Sequence, residues 1–77
     1  MKHPISLKLG RKIAELRKLH GLSQEELGFR SNLHRTYIGA IERGEKSISV
    51  IAAIQIAVGL NEPITKIITD DLTLSEQ

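Results

Sequence analysis

An all-helical fold is predicted by three features of this 77-residue sequence. Apolar residues recur at spacings of three and four. Caps and stops punctuate the chain at short intervals. No run alternates apolar with polar residues as a half-buried strand does. The expected architecture is a compact repressor-like bundle of five short helices. It forms a single domain, with a core over about 6–69 and a polar tail over 70–77.

Leu9, Ile13 and Leu16 share one helical face, and Gly21 closes that helix. Lys18 and His20 suit its negative end, so the first helix is expected over about 6–20. Ser23-Gln24-Glu25-Glu26 has the form of a capping box, in which hydroxyl and carboxylate satisfy each other's backbone amides. The second helix therefore begins at Gln24. It ends near Ser31, because Asn32 tolerates the left-handed conformation that bulkier residues avoid. A third helix is expected over about 34–43, with Ile38 and Ile41 inward and Gly44 as its stop. Ser49 caps a fourth over about 50–60, and Pro63 suits the first turn of a fifth over about 63–69.

Composition narrows the function. Phe29 and Tyr37 are the sole aromatics, too few for the stacking surface of a single-strand or RNA-binding sheet. There is no cysteine, hence no disulfide framework and no thiolate zinc site. His3, His20 and His34 lack metal-ligand spacing and read as surface residues. Glu25 and Glu26 are adjacent, so on a helix they point apart and form no catalytic pair. Neither a Ser/His/Asp set nor a phosphate-cradling glycine loop is present. No enzyme, cofactor, metal or small-molecule ligand is expected. No apolar run is long enough for a signal peptide or membrane span, so a cytoplasmic protein without membrane contact is expected.

Charge is unevenly spread. Residues 1–46 hold ten Lys or Arg against five acids, whereas residues 47–77 hold Lys66 against four acids. A basic front half points to a polyanionic partner. Two short helices joined through Ser31-Asn32-Leu33 give the helix-turn-helix pattern. Leu27 and Leu33 fill the angle between them, and Gly28 is small where the two cross. Ile38 and Ile41 anchor the second of the pair, leaving His34, Arg35, Thr36, Tyr37 and Ala40 outward.

The segments Gly21-Leu22-Ser23-Gln24-Glu25-Glu26-Leu27 and Leu33-His34-Arg35-Thr36-Tyr37-Ile38-Gly39-Ala40-Ile41-Glu42-Arg43-Gly44 resemble the Cro/repressor-type (XRE) helix-turn-helix transcriptional regulators. The stretch His34 to Gly39 resembles in particular the controller proteins of restriction–modification systems. The resemblance spans roughly residues 7–68. It implies that Ser23 and Gln24, opening the second helix, meet the phosphate backbone. It implies that Arg35 and Thr36 read base edges in the major groove, with His34 and Tyr37 beside them on base or backbone. Arg43 and Lys46 would grip phosphates, and Arg17 and Glu42 would form a partly buried ion pair. The residue chemistry agrees: an arginine fork matches the O6 and N7 acceptors of guanine, worth roughly 1–3 kcal/mol of discrimination.

This chain departs from that family at a few positions. Gly28 stands where alanine is common, and Gly39 sits in mid-helix, each costing about 0.5–1 kcal/mol relative to Ala. Gly39 has no side chain with which to read a base, and Glu62 replaces an apolar residue before Pro63. The fourth helix is apolar on both sides. Val50, Ala53, Ile56, Ala57 and Leu60 form the expected inward face, while Ile51, Ile54 and Val58 lie opposite. With Ile64, Ile67 and Ile68 they are expected to form a homodimer interface. The function expected is that of a sequence-specific regulator binding double-stranded DNA, a homodimer on a palindromic operator. The alternative is an antitoxin-like protein-binding module that uses the isoleucine surface, with DNA binding secondary.

Overall fold

The structure is a computed structural model and describes residues 3–69. It contains α1 (Pro4–Leu19), α2 (Gln24–Ser31), α3 (Arg35–Glu42) and α4 (Val50–Leu60), followed by a 3-10 turn over Ile64–Lys66. No strand is present among the described residues. The tail expected over 70–77 lies outside them.

Each helix boundary has a local cause. Pro4 takes the first position of α1, where its missing N–H costs nothing, and Nδ1 of His3 accepts from the Ile5 amide at 3.1 Å. This cap starts α1 two residues earlier than expected. The capping box of α2 is complete. The Glu26 amide donates to Ser23 Oγ at 3.0 Å, and the Ser23 amide donates to Glu26 Oε1 at 2.9 Å. The bond from the Ser23 amide, supported by the Ser23 side chain, favours the carboxylate form, so the pKa of Glu26 lies below its usual range. Asn32 closes α2 in the left-handed region with φ 58°. His34 is the N-cap of α3 rather than its first residue: its Nδ1 accepts from the Thr36 amide at 3.0 Å. Ser49 Oγ accepts from the Ala52 amide at 3.0 Å, and left-handed Asn61 ends α4.

The expected fifth helix is corrected to a single 3-10 turn. Pro63 is extended (ψ 149°), and the Lys66 and Ile67 amides bond three residues back, to Pro63 and Ile64, each at 2.9 Å. This tighter winding turns the fully buried Ile67 side chain into the core. Glu62, polar just ahead of the turn, has a partner in His20 Nε2 at 2.7 Å. The end of α4 is thereby tied to the end of α1.

The core is made by Ile13, Leu27, Ile38, Ile41, Ile56, Leu60 and Ile67, all fully buried. α2 packs against both α3 and α4, and α1 packs on α3. Three crossings are close enough to exclude a methyl group, at Gly10, at Gly28 and at Gly59, which lies against Ser31. A Cβ on Gly28 would stand 2.6 Å from the Leu33 carbonyl oxygen. A Cβ on Gly10 would meet the carbonyl oxygens of Ile41 and Glu42, the latter at 2.8 Å. Along α4 the inward residues are Ala52, Ala53, Ile56, Ala57, Gly59 and Leu60. Val50, the first residue of the helix, does not join them and is 77% exposed.

Gly10→Ala is expected to destabilise the chain by about 3 kcal/mol, since backbone rather than a flexible side chain blocks the methyl group. That is a large part of the roughly 5 kcal/mol a small domain has to lose. Urea unfolding followed by circular dichroism measures it; a midpoint within error of wild type would show that α1 and α3 do not cross this closely.

Candidate nucleic-acid interface

Short helices place their first turns outward, and α3 does so with polar residues. His34, Arg35 and Thr36 are exposed, and Tyr37 is half-buried against the core. The Thr36 hydroxyl lies 2.7 Å from the same His34 Nδ1 that takes the Thr36 amide. A nitrogen accepting that N–H carries no proton, so the hydroxyl is the donor. Its lone pairs remain free to accept. Ala40, expected outward, is buried at the edge of the core, and Gly39 is covered as well. A shallow groove of about 420 Å³ runs from His34, Thr36 and Tyr37 past Ala40 to Arg43, Glu45 and Lys46. Five of the residues expected to meet DNA thus line one strip, and Arg35 stands exposed at the start of the same helix.

Behind this strip lies a polar node. Arg17 Nε and Nη2 donate to Glu42 Oε2 and Oε1 at 2.7 and 3.0 Å, and Arg17 Nη1 donates to the Leu22 carbonyl at 2.8 Å. The side chains are 12% and 7% exposed. The hydrogen bonds to Glu42 raise the Arg17 pKa above its usual value against the opposing effect of burial. Glu42 Oε1 also accepts from Gln24 Nε2 at 3.0 Å. Gln24 therefore opens α2 with its amide held to the end of α3, and Ser23 spends its hydroxyl on the cap. Sequence reasoning missed the Gln24 bond, for which 18 residues of separation left no signal. It also missed Glu45, whose Oε2 accepts from Arg43 Nε at 2.9 Å and raises the Arg43 pKa. Its nearness, two residues beyond Arg43, was the available clue.

The second expected surface is assembled differently from its sequence pattern. Ile51 and Val58 are 72% and 71% exposed, Ile54 and Ile68 are exposed, and Ile64 is half-buried. Ile67 is corrected: it is 0% exposed and belongs to the core. Val50 takes its place outside, lining an apolar groove of about 340 Å³ with Ala53, Ile64, Thr65 and Ile68. Among the described residues no group of His, Cys, Asp or Glu could hold a metal ion. The three histidines have other work: His3 and His34 cap helices, and His20 meets Glu62. No helix among those residues is long and apolar enough to cross a membrane.

The family model described as helix-turn-helix matches residues 13–67. Control protein C.SmaI of Serratia marcescens is 38% identical over 69 residues, covering 90% of this chain and 82% of that protein. Control protein C.MunI of a Mycoplasma species is 33% identical over 67 residues, covering 86% of this chain and 90% of that one. The crystal structure of the restriction-modification controller protein C.AhdI from Aeromonas hydrophila is similar with a TM-score of 0.80. The identity there is 36%, over 82% of this chain and 96% of that chain.

Glu42→Ala is expected to destabilise more than any exposed substitution. It strands Arg17 near the core edge and frees Gln24, a class of change costing about 3–5 kcal/mol when burial is complete. Thermal melts of Arg17→Ala, Glu42→Ala and the double variant test it. Strictly additive losses would show that the two residues do not interact.

Proposed function

The chain belongs to the helix-turn-helix family of DNA-binding transcriptional regulators, and on that premise we propose that it is the controller of a restriction–modification system, reading a palindromic operator as a homodimer. One arrangement supports this above all. His34, Arg35, Thr36 and Tyr37 open a helix whose far end is locked to the body of the protein by Arg17 and Glu42. A rigid helix with an exposed polar start is what major-groove reading requires. In this reading Arg35 pairs with guanine and Thr36 accepts from a base amino group. His34 and Tyr37 flank them, and Ser23, Gln24, Arg43 and Lys46 meet phosphates. The names of the controller relatives support the assignment to a restriction–modification system.

One recognition helix reads too few base pairs to define a site in a genome, so two must act together. The α4 surface supplies the means: Val50, Ile51, Ile54, Val58, Ile64 and Ile68 form an apolar face in the acidic half of the chain. A standard interface buries about 800 Å² per subunit, and the chain exposes 5020 Å². A twofold dimer then sets its two α3 helices about 34 Å apart, one turn of duplex. Selection of bound sequences from random DNA is expected to return an inverted repeat with that half-site spacing. An asymmetric single site would count against the dimer.

Arg35→Ala is expected to keep its melting temperature and lose about 1–3 kcal/mol of preference for the selected site over random duplex. Unchanged preference in competition titrations would remove Arg35 from base reading. Ile54→Glu is expected to give a monomer at micromolar concentration by size-exclusion chromatography with light scattering, and to bind the palindrome far more weakly. A charged variant that stays dimeric would move the interface elsewhere.

A further inference from the structure

We propose that Gly39 is a positioning residue for the DNA backbone contact, its missing side chain leaving a slot across α3 in which the Gln24 amide and the Arg43 guanidinium lie side by side. The inference rests on the DNA-binding reading above and assigns a role to a residue with no side chain of its own.

The glycines of this fold do not all serve the same purpose. At Gly10 and Gly28 the space a methyl group would take is filled by backbone of a crossing segment. At Gly39 it is filled by the far ends of two long side chains. A Cβ there would stand 3.0 Å from Arg43 Nη1, 3.3 Å from Gln24 Oε1 and 3.7 Å from Gln24 Cδ. These two groups account for the burial of a position that helical periodicity directs outward. No helix crossing demands glycine here, and glycine in mid-helix costs stability relative to alanine. What the glycine provides is room for Gln24 and Arg43.

Both groups are also tethered from behind. Gln24 Nε2 gives one hydrogen to Glu42 Oε1 at 3.0 Å, and Arg43 Nε gives its hydrogen to Glu45 Oε2 at 2.9 Å. The second amide hydrogen of Gln24 and the Nη hydrogens of Arg43 remain for a ligand. A phosphate diester has only acceptors, so donors of this kind are what it requires. A methyl group at position 39 would press on Arg43 Nη1 and Gln24 Oε1 closer than ordinary van der Waals contact. Because both are ends of flexible side chains, they would be displaced and the helix would not. Stability and DNA affinity should then move in opposite directions.

The test compares wild type, Gly39→Ala, the Gln24→Ala/Arg43→Ala pair and the triple variant. Each is melted, then titrated by fluorescence anisotropy on a duplex carrying the site that wild type selects from random DNA. Gly39→Ala is expected to melt at or above the wild-type temperature and to bind on the order of tenfold more weakly, the scale of one impaired charge-assisted hydrogen bond. In the Gln24→Ala/Arg43→Ala background the same substitution is expected to change affinity no further. Wild-type affinity in Gly39→Ala would overturn the proposal. So would a loss that persists in full in the paired background, which would mean that DNA meets position 39 directly. A lowered melting temperature would likewise overturn it, placing the role of the glycine in the fold. Failure of wild type to retain any duplex would instead bring down the DNA-binding reading itself.

Discussion

The carboxylate of Glu42 sets the place of α3. It sits at the last residue of that helix, yet it accepts two hydrogen bonds from Arg17 on α1 and one from Gln24 at the start of α2. Arg17 in turn donates to the Leu22 carbonyl between α1 and α2. Three elements are thus pinned to one ion pair. A buried pair is costly to desolvate and gives little net stability unless its geometry is good and its remaining polar atoms are satisfied. Here the contact is bidentate and both Glu42 oxygens have partners, so the node specifies an orientation at modest net cost. A hydrophobic replacement could match the stability but would leave α3 free to rotate about its axis, and with it the side chains of its exposed first turn.

The rest of the fold tolerates short helices because of this fixing. α2 and α3 have eight residues each, well below the length at which an isolated helix persists in water. Both begin with a side-chain cap, Ser23 or His34, and both end at a residue with a local reason to stop. Between them Gly28 lets the backbone of the turn lie directly on α2. Few large side chains fill the interior, so close backbone approach replaces bulk as the means of excluding water. The cost is intolerance: a single methyl group at a crossing has no soft neighbour to displace.

Local chemistry was legible in the sequence, and long-range choices were not. The α2 cap and stop follow from Ser23, Glu26 and Asn32 alone, each acting within three residues, and they stand where the spacing put them. The start of α4 follows in the same way from Ser49. The inward face of α4 was legible too, since Ala53, Ile56, Ala57 and Leu60 are buried while Ile51, Ile54 and Val58 are exposed. Its edge was not: a helix made almost wholly of Ile, Val and Ala has no polar side to mark where the face stops, so Val50 was assigned to the core that Ala52 occupies. Ile67 was misplaced for a related reason. Counting on α-helical geometry gives it the wrong azimuth once the chain after Pro63 winds as a 3-10 turn. The ion pair spans 25 residues and came from family resemblance rather than from spacing. The bond from Gln24 to Glu42 was left unread, because nothing local distinguishes that glutamine from a solvated one.

The two tethered donors differ in what binding would ask of them. Glu42 is almost fully buried and already paired with Arg17, so the Gln24 amide is held by a group that cannot move aside. Glu45 is exposed, and its ion pair with Arg43 is of the surface kind, which contributes little and is screened by salt. As a phosphate approaches, the first contact needs no rearrangement, because Gln24 keeps its bond to Glu42 and offers its other hydrogen. The second requires Arg43 to share or leave an acid that the phosphate itself repels. One donor is therefore preorganised and the other is exchanged. Only the exchanged one responds to ionic strength before DNA arrives, because salt weakens the Arg43–Glu45 pair in the free protein while leaving the buried node intact. Salt thus loosens Arg43 from Glu45 at the same time as it weakens Arg43's attraction to phosphate. The two effects partly cancel, and the salt response of Arg43 should be shallower than that of a cation held by no acid.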